Sequence, residues 1–365
     1  MGTSTVAASS VGVSSRGIEL NPYSALAARA RASRQFDMKQ VFSLLNETLS
    51  SRSTTSFPSA FVSSTGTGLS ARLRTLLTKQ LCCKSSDLIQ AICLDQTAKA
   101  DVCAISLVSL LAAIRSSAKV ERRSNPAWLL PETDGTEDAN PDELVRSALD
   151  VALAIAQDTP HTCSANVEIY IGSFTNAPVR RGAISRFITS PPYLNRLDYV
   201  NTTLPELQGM GITDVTTLEA LRSEMMGTTK MRKLAPPESF NRTLPPVARA
   251  FLETVYNHHS KAASTYYYNF YRQYMIDTMS FFNWLGAKCS ATAKGYIVIQ
   301  DSYFKEIRVP ITAIYADIAR KHGFLLNVSQ EETRFNHMGA MNPHQRRHAP
   351  EKSLTEFILE VTRER

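Results

Sequence analysis

The chain has 365 residues, 43% of them hydrophobic and 20% charged, a composition that excludes a disordered or fibrous protein. Its net charge of +7 favours a polyanionic partner, because lysine and arginine release counterions from phosphates. The six cysteines contain no Cys-x-x-Cys pair, which argues against a zinc or redox pair and for free thiols in a reducing, cytoplasmic compartment. The longest apolar stretch, Val102 to Ile114, is too short to span a bilayer and predicts a buried helix. No secretory signal is visible.

The first thirty residues read as a helix, a short strand and a second helix. Thr5–Val11 is small and apolar. Arg16-Gly17-Ile18-Glu19-Leu20 is a short strand ending in an acid. Asn21-Pro22 then opens a helix over Tyr23–Arg34, with Asn as the cap and Pro in the first turn. An acid at the tip of a strand in an α/β unit is placed to accept hydrogen bonds from ribose hydroxyls. Residues 49–71, rich in Ser, Thr and Gly, predict a loop. Helical periodicity follows over Leu69–Leu81, Ala100–Ala118 and Pro141–Gln157, the last with Asp142 and Glu143 in its first turn. Together, 49–160 reads as a linker and helical insertion between two halves of a core. Val167–Ile171 alternates like a strand and ends at Gly172-Ser173.

Ala183–Thr189 predicts a buried strand, and it runs into Ser190-Pro191-Pro192-Tyr193. Two prolines fix φ near about −65° and remove two backbone donors. The carbonyls of Ser190 and Pro191 then lose the usual continuation of a sheet or helix and are free to point into a pocket. Tyr193 adds a flat ring beside them. Acceptors, a hydroxyl and a ring together suit a planar base that carries an exocyclic amine.

These residues resemble the amino-methylating DNA methyltransferases, whose catalytic motif, Ser/Asp/Asn-Pro-Pro-Tyr/Phe, ends the fourth strand. The Ser form, extended here over Thr189–Tyr199, is most similar to the enzymes that methylate the exocyclic amine of cytosine. Gly17-Ile18-Glu19-Leu20-Asn21-Pro22 resembles the family's Gly-Ile-Glu-x-Asn-Pro. Met1-Gly2-Thr3-Ser4-Thr5 is similar to the tail of its Phe-x-Gly-x-Gly-Thr loop, with Ser4 where a second glycine is usual. The similarity starts inside that motif, without the preceding strand and its Asp-Pro-Phe.

The resemblance implies an α/β fold, a Rossmann-like methyltransferase sheet with large helical insertions. It implies S-adenosylmethionine as cofactor, double-stranded DNA as substrate and a restriction–modification setting with a cognate endonuclease. It places Gly2 and Thr3 near the methionine end of the cofactor and Glu19 on its ribose. Asn21 is a helix cap or a cofactor contact, and Ser173 stands where the family often has an Asp near the adenine. Catalysis falls to Ser190, Pro191, Pro192 and Tyr193. The Ser190 hydroxyl and Pro191 carbonyl hold the amine, and Tyr193 stacks on a flipped base. No cysteine follows a proline, so the covalent Pro-Cys route to cytosine carbon and the Pro-Cys-x-x-Cys of zinc deaminases are both missing. Methylation of the adenine amine and a catalytically inactive nucleic-acid-binding relative stay open as alternatives.

Past the motif, Arg196 meets phosphate or a base, or forms a solvated salt-linked loop with Asp198, and Tyr199 packs below. Leu204–Met226 is helical with an interruption at Gly209–Gly211. Pro236-Pro237 and Pro245-Pro246 bracket a break. Val247–Trp284 reads as one long helical stretch, with Tyr266–Tyr271 as helix core rather than a base-stacking surface, and His258 and His259 on its surface. The span 203–290 is a helical insertion and a candidate DNA-recognition region. Gly295–Gln300 is a strand, Pro310–His322 a helix, and Gly323–Val328 and Leu354–Val361 an antiparallel strand pair. The resulting division is 1–48, 49–160, 161–202, 203–290 and 291–365. The basic segment His337–His348 is a DNA-contacting loop, through Arg346 and Arg347, or a solvated one. Its His344-Gln345-Arg346-Arg347-His348 lacks the glutamate of a zinc-protease motif, so no metal is expected.

Overall fold

A computed structural model describes residues 2–33, 36–49, 69–117, 120–122, 129–131, 141–158, 165–234, 243–334 and 353–364. The architecture is mixed α/β, with parallel and antiparallel strand pairs. The chain divides into two compact units. The first comprises Met1–Arg123, Trp128–Ala177 and Val200–Leu221; the second comprises Ser124–Ala127, Pro178–Tyr199 and Arg222–Arg365.

In the first unit, α1 (Thr3–Ser10) leads to β1 (Ser15–Glu19) and α2 (Pro22–Arg31). The expected cap is present: the Asn21 side-chain oxygen accepts from the amides of Tyr23 and Ser24 at 3.0 and 3.3 Å, and Pro22 takes the first helical position. The helices α3 (Met38–Leu49), α4 (Leu69–Leu81), α5 (Leu88–Leu94) and α6 (Ala98–Ser117) follow. Next come a short antiparallel pair, β2 (Val120–Arg122) and β3 (Leu129–Pro131), then α7 (Pro141–Asp158) and β4 (Val167–Ile171). β4 pairs with β1 in parallel.

α6 is apolar on every side because it is covered on every side, by α2, α3, α4, α5 and α7. Leu26, Val41, Leu45, Leu73, Leu77, Leu107 and Leu144 share that one core. The helices of 69–158 therefore share one core with α2 and α3. A buried ion pair, Arg29 to Asp101 at 2.5 Å, joins α2 to α6. α8 (Leu204–Gly209) closes the unit. A Cβ on Gly209 would lie 2.5 Å from a Leu111 methyl, so this glycine serves a close helix approach. α9 (Val215–Glu224) follows it.

The second unit is built on β5 (Ile184–Thr189), β6 (Cys289–Gln300), β9 (Phe324–Arg334) and β10 (Leu354–Arg363), in the order β5-β6-β10-β9. β5 runs parallel to β6; β10 is antiparallel to both neighbours. A small hairpin, β7 (Tyr303–Phe304) with β8 (Ile307–Arg308), lies between β6 and β9 in sequence. The helices α10 (Pro246–Tyr256), α11 (Tyr268–Lys288) and α12 (Ile311–Lys321) supply the core against this sheet.

Three expectations change here. β5 is not buried: Ser185, Arg186 and Ile188 are exposed, because β6 is its only strand partner among the described residues. The strands form separate two-stranded and four-stranded sheets rather than one. The stretch Val247–Trp284 is not one helix. It breaks after Tyr256, turns at Ala262 in a left-handed conformation (φ 64°) and passes through a π-helical turn, Ala263–Tyr267, before α11. Tyr268, Phe270 and Tyr271 are core, while Tyr266 and Tyr267 are half-buried. Cys82, Cys83, Cys93, Cys103 and Cys289 are free thiols. No helix among the described residues is long and apolar enough to cross a membrane.

Gly295 seats the strand that carries the proline turn. It lies opposite Phe187 in the β5–β6 register, and a Cβ there would stand 2.5 Å from the phenyl ring. Gly295→Ala is expected to destabilise the fold by about 1–3 kcal/mol through overpacking. In denaturant unfolding, Phe187→Ala combined with Gly295→Ala should cost clearly less than the two single changes together. Additive costs would show that the ring does not hold the glycine.

Candidate active site

β5 delivers Ser190 at its carboxyl end, and the second half of the turn is tied down atom by atom. The Pro192 carbonyl accepts from the Tyr274 hydroxyl at 3.1 Å. Tyr274 is itself hydrogen-bonded to the Tyr315 hydroxyl, at 2.9 Å, inside the core. The Tyr193 amide donates to the Tyr199 hydroxyl at 3.3 Å, and the Tyr193 carbonyl accepts from the Asn195 amide at 2.8 Å. Gly227, at φ 70°, packs under the turn; a Cβ on it would sit 3.5 Å from Pro192 Cβ. By contrast, the carbonyls of Ser190 and Pro191 receive no hydrogen bond among the described residues. The prolines thus leave two acceptors open while their neighbours hold the backbone still.

The Tyr193 hydroxyl donates to Glu356 Oε2 at 2.8 Å. Burial pushes the Tyr193 phenol up to about 12; a hydrogen bond from Ser190 works against that rise, and the Glu356 carboxylate adds to it. At neutral pH the phenol is therefore protonated. The phenolic hydrogen points to Glu356, whose oxygen accepts it.

The cofactor candidates lie in the first unit. The Gly172 amide donates to the Glu19 carbonyl at 2.9 Å, which brings Ser173 to the same carboxyl end of β1 and β4 as Glu19. Glu19 Oε1 accepts from the Asn21 amide at 2.9 Å. Burial raises its carboxyl pKa above the usual value, against the hydrogen bonds from the Asn21 and Leu20 amides. Ser173 Oγ shares a hydrogen with Thr175 Oγ1 at 2.9 Å. Thr3 is exposed at the start of α1. Gly2, at φ 70°, is required by packing, since a Cβ would lie 2.6 Å from Ala28 Cβ. Asn21 takes the first of its two readings, that of a helix cap. It is buried, its oxygen caps α2, and its amide nitrogen donates to Thr203 Oγ1 at 2.8 Å.

Arg196 does not pair with Asp198. Asp198 bonds Arg222 Nε at 3.2 Å, and Arg196 lies over the rings of Tyr266 and Tyr267. His258 is not a helix-surface residue; it follows α10 and bonds Ser260 and Glu306, each at 2.9 Å. Arg346 and Arg347 fall outside the described residues. Among the described residues no group of three or more His, Cys, Asp or Glu side chains is arranged to hold a metal ion.

Glu356, Tyr274 and Tyr315 carry no signal in the sequence. They lie far along the chain, in an ordinary alternating strand and two apolar helices, and only the fold brings Glu356 and Tyr274 to the turn. In comparisons with known proteins, no family model, no curated protein and no solved structure matches the chain.

Because the folded phenol of Tyr193 binds its proton more tightly than an unfolded one, its contribution to stability is complete below pH 10 and is lost as pH rises from 10 to about 12. Glu356→Gln should bring this titration down toward 10. The measurement is ultraviolet absorbance titration with Tyr193→Phe as the subtracted reference. An unchanged titration would show that Glu356 does not set the state of the phenol.

Proposed function

We propose that the protein is an S-adenosylmethionine-dependent methyltransferase acting on the exocyclic amino group of cytosine in duplex DNA. The observation that carries this reading is the pair of open acceptors at Ser190 and Pro191, at the carboxyl end of a strand with a parallel neighbour. The strand order β5-β6-β10-β9, a parallel pair followed by antiparallel strands, supports a Rossmann-like sheet. The parallel pair β1–β4, with Glu19 and Ser173 at one end, supports a nucleotide-binding half. The free thiols fit a reducing cytoplasm, and restriction–modification is the setting in which such chemistry has a use.

The cytosine amine is a weak nucleophile because its lone pair is delocalised into the ring. The Ser190 oxygen and the Pro191 carbonyl accept its two hydrogens and favour a tetrahedral nitrogen. Bound S-adenosylmethionine would supply an activated methyl group. Positive charge growing on the amine nitrogen would lie beside these fixed acceptors, which would stabilise it. Tyr193 offers its ring to the base. A serine at position 190, rather than Asp or Asn, favours cytosine over adenine. The second reading, an inactive nucleic-acid-binding relative, is favoured by Ser4 standing where the resemblance has glycine.

Isothermal calorimetry with S-adenosylmethionine separates these readings. Binding heat from the folded chain is expected, with affinity reduced about 10- to 100-fold in Glu19→Gln, the range for a hydrogen bond to a charged group. A folded sample without heat would leave only the nucleic-acid-binding reading. The same variant carries a stability signature. A raised folded pKa means that the fold holds the Glu19 proton more tightly, so stability falls as pH climbs through the window above 4.5. Glu19→Gln removes that loss and should melt higher than the parent at neutral pH. A lower melting temperature would show that the buried carboxylate supports the fold rather than the ligand.

A further inference from the structure

We propose that Arg196 and Lys305, gathered on the ring of Tyr267, form a clamp for a phosphodiester of a nucleic-acid strand at the rim of the Ser190–Tyr193 turn. Assigning that strand to the methyl-accepting substrate rests on the function proposed above; the clamp itself does not.

Arg196 Cζ lies 5.1 Å from the Tyr267 centroid and 5.3 Å from that of Tyr266, and its Nη1 donates to the Tyr267 hydroxyl at 2.9 Å. Lys305 Nζ lies 5.2 Å from the same Tyr267 centroid. Two cations at these distances from one ring stand within about one Debye length, ~10 Å, of each other. Neither forms an ion pair among the described residues. Asp198, the acid nearest Arg196 in sequence, bonds Arg222 at 3.2 Å, and Glu306, the acid nearest Lys305, bonds His258 at 2.9 Å. Like charges held together without a counter-charge repel, and the arrangement calls for an anion that both can reach.

The backbone points the same way. Arg196 and Lys305 are both in the left-handed region, at φ 58° and 57°, where glycine is favoured and a long side chain is strained. Lys305 occupies the first position of the two-residue loop between β7 and β8, a place where hairpins prefer glycine. Two separate strained positions converge on one aromatic ring.

That ring is fixed in advance. The π-helical turn presents Tyr266 and Tyr267 side by side, Tyr266 stacks with Phe270, and Tyr267 packs against the buried Phe304 at 5.3 Å. Only one of the guanidinium donors is used by Tyr267, so the rest of the planar fork is available to a phosphate. Arg196 is three residues beyond Tyr193. A phosphate held there belongs to a strand lying beside the turn.

The test uses the full chain, a fluorescently labelled duplex of arbitrary sequence and anisotropy over a range of salt. Glycine adopts the left-handed conformation without strain, so the double variant Arg196→Gly/Lys305→Gly should keep or raise the melting temperature. Its affinity should fall about tenfold or more at low salt. Its salt slope should shrink by about 1, near 0.9 for the one phosphate that is no longer neutralised. Arg196→Lys with Lys305→Arg should recover the slope. A double variant with the parental slope overturns the clamp. So does displacement of the duplex by inorganic phosphate where chloride of equal ionic strength has no effect, because the site would then belong to a free phosphate. A chain that shows the expected slope change but binds no S-adenosylmethionine overturns the methyltransferase reading and leaves the clamp standing.

Discussion

A carboxylate can accept hydrogen bonds but not donate them, and that constraint fixes the Tyr193 hydroxyl as the donor beside the proline turn. Glu356 takes the Tyr193 hydrogen, and the carbonyls of Ser190 and Pro191 receive no hydrogen bond among the described residues. The prolines contribute to that openness, since a proline nitrogen has nothing to donate. The turn thus presents two open carbonyl acceptors. Acceptors of this kind suit a donor such as an NH₂ group.

Holding that surface still is the task of the surrounding core. Tyr274 reaches from α11 to the Pro192 carbonyl while its own hydroxyl is matched by Tyr315 of α12. Both rings are buried, so the pair costs little additional ordering and satisfies two polar groups that would otherwise be stranded in an apolar interior. Gly295 provides room at a contact where a Cβ would displace the Phe187 ring, and Gly227 supplies the left-handed backbone under the turn. Preorganisation of this kind is what a reaction without a strong base requires, because positioning and fixed dipoles must supply most of the rate. The αL residues flanking the aromatic ring add a second example of backbone held in an uncommon state by its neighbours.

Local patterns were legible where local forces decide. The cap and first turn at Asn21-Pro22, the helices at 69–81 and 141–158, and the antiparallel β9–β10 pair follow from capping chemistry and periodicity alone. The turn itself was visible because Pro-Pro leaves few conformations. What failed depended on tertiary partners. β5 looked buried from its apolar residues, yet burial is set by neighbours, and it has one strand beside it. The break at Asn257–Ala262 carries no proline or glycine to announce it. The salt link expected from Arg196 to Asp198 gave way to Arg222 from a helix and to the faces of two tyrosines. Glu356, which accepts the Tyr193 hydroxyl, sits in an alternating strand like many others.

The most direct measurement is nucleoside mass spectrometry of duplex DNA incubated with the full chain and S-adenosylmethionine carrying an isotopically labelled methyl group. Label is expected on the exocyclic nitrogen of cytosine, and it should disappear when Ser190 is replaced by alanine. Label on carbon 5 of cytosine, or undiminished labelling of the amine by Ser190→Ala, would contradict amine methylation at this turn.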